Sequence, residues 1–291
     1  MANIDSIEII DAQIHEPTAQ IPIPGVDAAT TSAIDVELAR EAMDAIGVDI
    51  ALAVTGEAFI TAALERYPDR FAGVVTFDHA HPDLAADVAR VRGLPGVIAG
   101  RALLGDWRDM TLRPEFEQGL FDPIFAAAEE VGLPIFVSTH GWAKVMEAVV
   151  VRHPGLTLII DHIGVSQHPV SPPNDDPWGR FPDLLALAKY PNVHVKLCGA
   201  PLLSEQAYPF SDVWPQLALL FESFGFDRIM WGSDYTRMRQ ADLPRGTRPR
   251  RRGLSYADSL SYLLDSDRFT HGEKEQLFGG TLRRVLNWPR T

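Results

Sequence analysis

The stretch IEIIDAQIHEP, residues 7–17, decides the fold because it contains the first strand of the chain and the polar residues directly after it. Its apolar beginning predicts a buried strand over IEIID. No Gly-x-Gly-x-x-Gly comes after this strand, and no P-loop sequence occurs in the chain. The chain therefore lacks the phosphate-binding turn that is typical of nucleotide-binding, doubly wound sheets.

Seven further strands are predicted downstream, each a short apolar run that alternates with a longer segment of helical spacing. This alternation is typical of parallel strands covered on both faces by helices. Eight strands in 291 residues predict one (β/α)₈ TIM barrel domain over residues 1–291, with a doubly wound open sheet as the rival. One of the helices is predicted over PEFEQGLFDPIFAAAEEVG, residues 114–132. The seven strands are IALAV (50–54), AGVVTF (72–77), VIAGRAL (97–103), PIFVST (134–139), LTLIID (156–161), VHVKLC (193–198) and RIMWG (228–232).

Composition excludes several classes of protein. A formal net charge of −13 argues against binding to nucleic acid or anionic membrane through the overall field of the protein. No apolar run approaches the roughly 18 residues of a membrane span, and the N-terminus lacks the pattern of a signal peptide, so we expect a cytoplasmic protein. The single cysteine, Cys198, excludes an internal disulfide framework and is predicted to be a buried structural thiol.

Barrel enzymes carry their chemistry at the C-terminal ends of the strands, and polar residues stand there in this chain. They are Gln13 and His15 after strand 1, His140 after strand 5, His162 after strand 6 and Asp234 after strand 8. Imidazole nitrogen and carboxylate oxygen are natural zinc ligands, and zinc-bound water loses its proton near neutral pH. These residues therefore predict an active site, with or without a metal.

The motifs IIDAQIH, TLIIDHIGV, VHVKLCG, IMWGSDYT and LFGGTLRRVLNW, taken in order, resemble the amidohydrolase-related family of the amidohydrolase superfamily. That family includes dicarboxypyrone-type lactonases and aminocarboxymuconate-semialdehyde-type decarboxylases. The resemblance implies a barrel with a His-x-His on strand 1, a histidine on each of strands 5 and 6, and an aspartate on strand 8 around one metal.

Gln13 departs from this pattern, since it stands where the family has the first strand 1 histidine. An amide oxygen is a weaker zinc ligand than imidazole. Three arrangements stay open: one divalent metal, zinc or manganese, held by His15, His140 and Asp234; a looser metal site; or a metal-free enzyme. In the metal-free arrangement Asp234 is the general base, and Gln13 and the histidines hold the carbonyl oxygen.

Basic and aromatic residues near the same barrel face predict a small anionic substrate. Arg101 and Lys196 lie in strands, so each either neutralises a carboxylate of the protein or meets a carboxylate of the ligand. Arg237 follows Asp234 closely and opens an arginine-rich loop over residues 237–252, which is predicted to be a solvated surface or an oligomer contact. Flat walls for a ring are predicted from Trp107, Trp142 and Tyr235.

The leading hypothesis is a hydrolase that opens a small carboxylated lactone. Water activated by Asp234, alone or with a metal, attacks the carbonyl, His162 and His15 polarise the carbonyl oxygen, and Arg101 or Arg237 holds a carboxylate. One alternative is a metal-dependent nonoxidative decarboxylase of an aromatic or unsaturated acid. A second is a catalytically inactive barrel that serves as a binding protein, and a homodimer is left open.

The remaining histidines are predicted to be structural. His79 and His81 form a second His-x-His, but His81 precedes a proline and an aspartate in a turn that leads into a helix. The others belong to a helix end, a strand and a helix cap: His153, His194 and His271.

Overall fold

A computed structural model describes residues 7–18, 24–105, 112–166, 176, 178–238 and 254–288. Within them, eight parallel strands form one sheet in chain order, which confirms the predicted barrel. Each strand is hydrogen-bonded to the next, and helices lie between them. The strands are β1 (Ile10–Ile14), β2 (Ile50–Thr55), β3 (Phe71–Thr76), β4 (Val97–Leu103), β5 (Ile135–Ser138), β6 (Leu158–Ile160), β7 (Val193–Leu197) and β8 (Ile229–Trp231).

The described helices cover the outside of this sheet. None of them is long and apolar enough to cross a membrane. They are α1 (Ala28–Ile46), α2 (Glu57–Arg66), α3 (Leu84–Arg92), α4 (Arg113–Glu117), α5 (Asp122–Val131), α6 (Met146–Arg152), α7 (Phe181–Leu185), α8 (Trp214–Phe224), α9 (Tyr235–Met238), α10 (Tyr256–Leu264), α11 (His271–Glu275) and α12 (Thr281–Val285).

Alternate residues of the strands belong to two separate apolar clusters. In β2, Ile50, Leu52 and Val54 belong to the smaller cluster, which draws residues from most of the strands and fills the barrel. The intervening residues Ala51 and Ala53 belong to the larger cluster, which joins the strands to the helices. This alternation with a period of two explains why the strands read as continuous apolar runs, since both faces are buried.

Asp11 and its neighbours join the first strand to the end of the last. Its carboxylate accepts hydrogen bonds from the backbone N–H groups of Ser233, at 2.8 Å, and Gln13, at 2.9 Å. The N–H of Asp234 donates to the carbonyl oxygen of Gln13 at 2.9 Å. The barrel therefore closes at the point where Gln13 and Asp234 meet.

Two boundaries differ from those predicted. Strand β1 extends to Ile14 instead of ending at Asp11, so Gln13 lies inside the strand and His15 follows it directly. The helix predicted over residues 114–132 is two helices, α4 and α5, because Gly119 between them has a left-handed φ of +83°. That backbone turn breaks the helical path, and glycine adopts it without the steric cost of a side chain.

Candidate active site

Backbone strain marks three of the predicted site residues. His140, His162 and Asp234 follow β5, β6 and β8 with φ values of 46°, 55° and 49°, in the left-handed region. Such a conformation costs on the order of 1 kcal/mol or more for a non-glycine residue and is concentrated at functional sites. The chain turns sharply at each of these strand ends, which supports an active site at this face of the barrel.

Asp234 is the point on which two predicted histidines converge. Its Oδ1 lies 3.2 Å from Nε2 of His15, and its Oδ2 lies 3.9 Å from Nε2 of His162. Burial alone raises the pKa of Asp234, but contact with His15 and the nearby charge of Arg101 outweigh burial and hold that pKa below its usual value. Asp234 is therefore a buried carboxylate that stays ionised at neutral pH.

The side chain of Gln13 bridges Lys196 and His15. The ammonium of Lys196 hydrogen-bonds to Oε1 of Gln13, and Nε2 of Gln13 lies 3.0 Å from Nε2 of His15. An ammonium can only donate, so the amide oxygen must face Lys196 and the amide N–H group must face His15. We therefore expect the nitrogen of His15 to accept from Gln13.

Asp161 pairs with two buried cations of the barrel. Lys196 Nζ lies 2.7 Å from Asp161 Oδ1, and the guanidinium of Arg101 is 2.8 Å from Asp161 Oδ2. Burial raises the pKa of Asp161, but Lys196 and Arg101 together outweigh it and hold the pKa well below its usual value. Of the two alternatives open for these cations, the structure shows that both neutralise a carboxylate of the protein.

Charges of opposite sign are balanced inside the site. Arg101 and Lys196 are positive, and Asp161 and Asp234 are negative. The histidines add no charge at neutral pH: burial lowers the pKa of His162 to about 4 and also lowers the pKa of His15. The four charged side chains therefore sum to zero without any added ion.

Cys198 supports His162 from the side away from Asp234. Its Sγ lies 2.9 Å from Nδ1 of His162. Burial raises the pKa of this thiol well above its usual value, so the thiol keeps its proton and can donate a hydrogen bond to Nδ1. A neutral His162 then carries its own proton on Nε2, the nitrogen that faces Asp234. This role was not predicted from the sequence, although Cys198 directly follows β7, next to the end of β6.

His15 and Asp234 meet, but the three predicted metal ligands are not brought together as a set. Across the described ranges of the chain, no three His, Cys, Asp or Glu side chains are arranged to hold a metal ion. His140 Nε2 lies 3.2 Å from the hydroxyl of Ser138, and Gln13 turns its oxygen toward Lys196 and its N–H group toward His15. The donors present therefore do not fit the three-ligand zinc site that His15, His140 and Asp234 were predicted to form.

The ring of Trp142, two residues beyond His140, is covered by two guanidinium groups. The guanidinium carbons of Arg113 and Arg180 lie 4.0 and 3.6 Å from the ring centroid. Such stacking holds cations in place without consuming their N–H donors. Trp142 thus stacks with two arginines, one of which, Arg113, is also paired with Glu117 at 2.6 Å. This arrangement was not predicted from the sequence.

The other predicted substrate-binding residues have mixed outcomes. The ring of Tyr235 is buried and stacks on Tyr256 at 4.0 Å between centroids, so it packs beneath the surface, contrary to the exposed wall expected of it. Half-buried Arg237 lies 3.4 Å from a carboxylate oxygen of Glu16. Trp107 and residues 239–252 of the arginine-rich loop lie outside the described residues.

Histidines predicted to be structural have partners elsewhere in the fold. The ring of His79 stacks on Phe121 at 4.7 Å, and Nδ1 of His81 accepts from the N–H of Asp83. The others lie near carboxylates or in a strand: His153 is 2.7 Å from Glu129, His271 is 3.6 Å from Glu275, and His194 lies in β7.

Comparison with known proteins agrees with this fold and these motifs. The amidohydrolase family model Amidohydro_2 matches residues 10–288. A relative from Burkholderia ambifaria, L-fucono-1,5-lactonase, is 28% identical over 161 residues, which are 53% of this chain and 51% of that protein. The chain thus matches about half the length of this curated relative.

Solved structures share the fold at lower identity. An amidohydrolase from Burkholderia multivorans with bound zinc superposes with a TM-score of 0.71 at 21% identity, over 97% of this chain and 100% of the other. A candidate 2-pyrone-4,6-dicarboxylic acid hydrolase from Pseudomonas putida gives a TM-score of 0.66 at 20% identity, over 97% and 98% of the two chains. Since the family model spans nearly the whole chain, the protein belongs to the amidohydrolase family.

Proposed function

We propose that this enzyme opens a small carboxylated lactone by hydrolysis, with Asp234 as the general base and no metal in the reaction. The observation that carries the proposal is the setting of Asp234, a buried carboxylate that is held ionised beside His15, with its Oδ1 3.2 Å from Nε2 of that histidine. Buried carboxylate oxygens need hydrogen-bond donors to offset their burial. In the proposed mechanism a water molecule is one of these donors, and that water is the nucleophile.

Asp234 and His15 provide two acceptors for the proton that water loses. Asp234 Oδ1 and His15 Nε2 lie 3.2 Å apart, and both are acceptors once Gln13 donates to His15. In the proposed step, the water oxygen bonds to the carbonyl carbon of the lactone while its proton passes to Asp234. That proton then lies between two acceptors, which stabilises the protonated form.

His162 supplies the donor for the carbonyl oxygen. Because Cys198 donates to Nδ1, the proton of neutral His162 is on Nε2, facing the site. A donor aimed at the oxygen on which negative charge develops stabilises the transition state. As the tetrahedral intermediate collapses, the ring C–O bond breaks, and the leaving oxygen takes up the proton held by Asp234. The products are a carboxylic acid and an alcohol within one opened chain.

Positively charged residues near the site favour a carboxylate on the substrate. Arg237 is half-buried three residues beyond Asp234, and its 3.4 Å contact with Glu16 leaves further N–H donors for a ligand. Arg113 and Arg180 are held against Trp142. The relative named as a lactonase supports a lactone substrate, and the neighbour named as a pyrone dicarboxylic acid hydrolase supports a carboxylate on that substrate.

The test is a panel of sugar lactones and carboxylated pyrones, with turnover followed by the acid released on ring opening. We expect at least one carboxylated lactone to be opened, and the neutral lactone of the same ring size to be a poorer substrate. Release of carbon dioxide from unsaturated acids, with no lactone opened, would instead support the decarboxylase alternative.

A further inference from the structure

We propose that Lys196 and Gln13 replace a divalent metal in this enzyme. The ammonium of Lys196 supplies the positive charge that the metal would carry, and Gln13 stands at the position of a metal ligand. This role of the two residues does not depend on the identity of the substrate. Both side chains are fully buried. They come from β7 and β1, which are separated by 183 residues in sequence.

The barrel makes space for the side chain of Lys196. Its stem passes Gly232, where an added Cβ would lie 3.0 Å from Lys196 Cδ and 3.4 Å from the Cβ of Ala12. A side chain at position 232 would therefore crowd the lysine. Together with its contact to Asp161 at 2.7 Å, this fit places the ammonium in a fixed position at the end of the barrel.

The hydrogen bonds of Gln13 run in a direction that disfavours a metal. Lys196 takes the oxygen of Gln13, the only atom of that side chain that could bind a cation. The amide N–H then points at the Nε2 lone pair of His15 from 3.0 Å. The oxygen of Gln13 therefore faces Lys196 and is not free to bind a metal, and Nε2 of His15 already accepts a hydrogen bond from Gln13.

The charge of the site also disfavours a metal. Arg101 and Lys196 already balance Asp161 and Asp234, so these four side chains leave no net negative charge to hold a divalent cation. Uncompensated charge in a buried site is expensive. Lys196 therefore opposes the binding of a metal by repulsion as well as by its hydrogen bond to Gln13.

Lys196 is then a positioning residue that acts on His15 through Gln13. With the amide N–H donating to Nε2, neutral His15 carries its proton on Nδ1. Nitrogen-15 chemical shifts distinguish the two neutral forms of a histidine. We expect the Nδ1–H form in the wild type and a mixture after Gln13→Glu, which keeps the partner of Lys196 but lacks the N–H group.

The deciding experiment measures zinc binding by calorimetry on chelator-treated protein without substrate. The variants are Gln13→His, Lys196→Met and the double variant Gln13→His/Lys196→Met. Matched controls make the same substitutions at exposed positions: Gln206→His and Lys189→Met. Thermal unfolding of each protein checks the fold before zinc is added.

We expect no stoichiometric zinc in the wild type or in Gln13→His, because the ammonium remains in both. The folded double variant should bind one zinc, at least about a hundredfold more tightly than the wild type, since it regains a histidine ligand and loses the repelling charge. Stoichiometric zinc in the wild type or in Gln13→His, or none in the folded double variant, would overturn the inference. If the double variant fails to fold, the wild type and Gln13→His still decide it. Because no substrate is present, a wrong substrate class cannot produce any of these outcomes.

Discussion

The sulfur of Cys198 lies 2.9 Å from Nδ1 of His162, and the two residues follow the neighbouring strands β7 and β6. The thiol is fully buried, and its raised pKa keeps it protonated. We therefore expect the single cysteine of the chain to set which nitrogen of His162 carries a proton.

Replacing Cys198 by alanine should lower kcat about tenfold, because a lost hydrogen bond of roughly 1.4 kcal/mol no longer holds His162 in its Nε2–H form. Cys198→Ser keeps a donor and should recover most of the activity. Nitrogen-15 shifts of His162 provide the readout that a purely structural role would not change. Equal activity and equal shifts in the alanine and serine variants would contradict this role.

Asp234→Asn should reduce kcat by about a hundredfold or more, the usual contribution of a general base. The amide is of similar size but cannot take a proton from water. Turnover of a lactone substrate is compared with that of Asp227→Asn, an exposed aspartate outside the site. The expected result is an intact fold in both variants and normal activity in the control. A fully active Asp234→Asn enzyme would disprove the base assignment.

The pH profile of kcat/KM should be flat from about pH 5 to about pH 8. Asp234 loses its role only when it is protonated, and its pKa lies below the usual 3.8, so the acid limb falls below this window. His162, with a pKa of about 4, stays neutral throughout the window. Steady-state rates in overlapping buffers test this, and an acid limb near 6.5, the ordinary pKa of histidine, would show that a histidine is the base.

Asp11 should make stability depend on pH in the opposite sense to a salt-bridged carboxylate. Burial raises its pKa from 3.8 to about 6, so between these values the folded protein holds a proton that the unfolded chain has released. The free energy of unfolding due to Asp11 therefore falls as pH rises through this window, by roughly 3 kcal/mol at most.

Asp11→Asn removes this titration, so the stability of the wild type relative to the variant should decrease from about pH 4 to about pH 6 and then level off. Urea unfolding at a series of pH values measures the difference. Asp227→Asn, at an exposed position, should show no such trend. A difference between wild type and Asp11→Asn that is constant with pH would mean that Asp11 titrates normally.

Arg237→Met should raise KM for a carboxylated lactone about tenfold or more, because a charge-assisted hydrogen bond is worth roughly 1.5–3 kcal/mol. The value of kcat should change less, since the carboxylate is bound equally in the ground and transition states. A neutral lactone should show little change in KM. Arg152→Met, at an exposed position paired with Asp122, is the matched control. An unchanged KM for the carboxylated substrate would remove Arg237 from the binding site.

The fold could be predicted from sequence because each strand is buried on both faces. Continuous apolar runs such as IALAV record that burial, and the parallel order follows from the helices between them. Site positions were predictable for the same reason, since a polar residue such as Asp234 or His162 stands out directly after an apolar strand. The break at Gly119 was less visible, because apolar residues continue with helical spacing on both sides of it.

The contacts within the site could not be predicted. The pairing of Gln13 with Lys196 depends on two side chains meeting across the barrel, and no local pattern specifies it. No sequence motif identifies the role of Cys198, since that role depends on the position of its side chain beside His162 in the fold. For Tyr235 the prediction from sequence position was wrong. Its place after β8 suggested the substrate surface, but the chain turns at Asp234 and the ring of Tyr235 stacks on Tyr256.

The most direct test of metal-free lactone hydrolysis is the mass spectrum of the product formed from a carboxylated lactone in oxygen-18-labelled water, with a strong chelator present throughout. Metal-free hydrolysis predicts an opened product that carries one labelled oxygen in its new carboxylate, formed at the same rate as without chelator. Product that forms only after zinc is restored, or a product that has lost carbon dioxide, would contradict it.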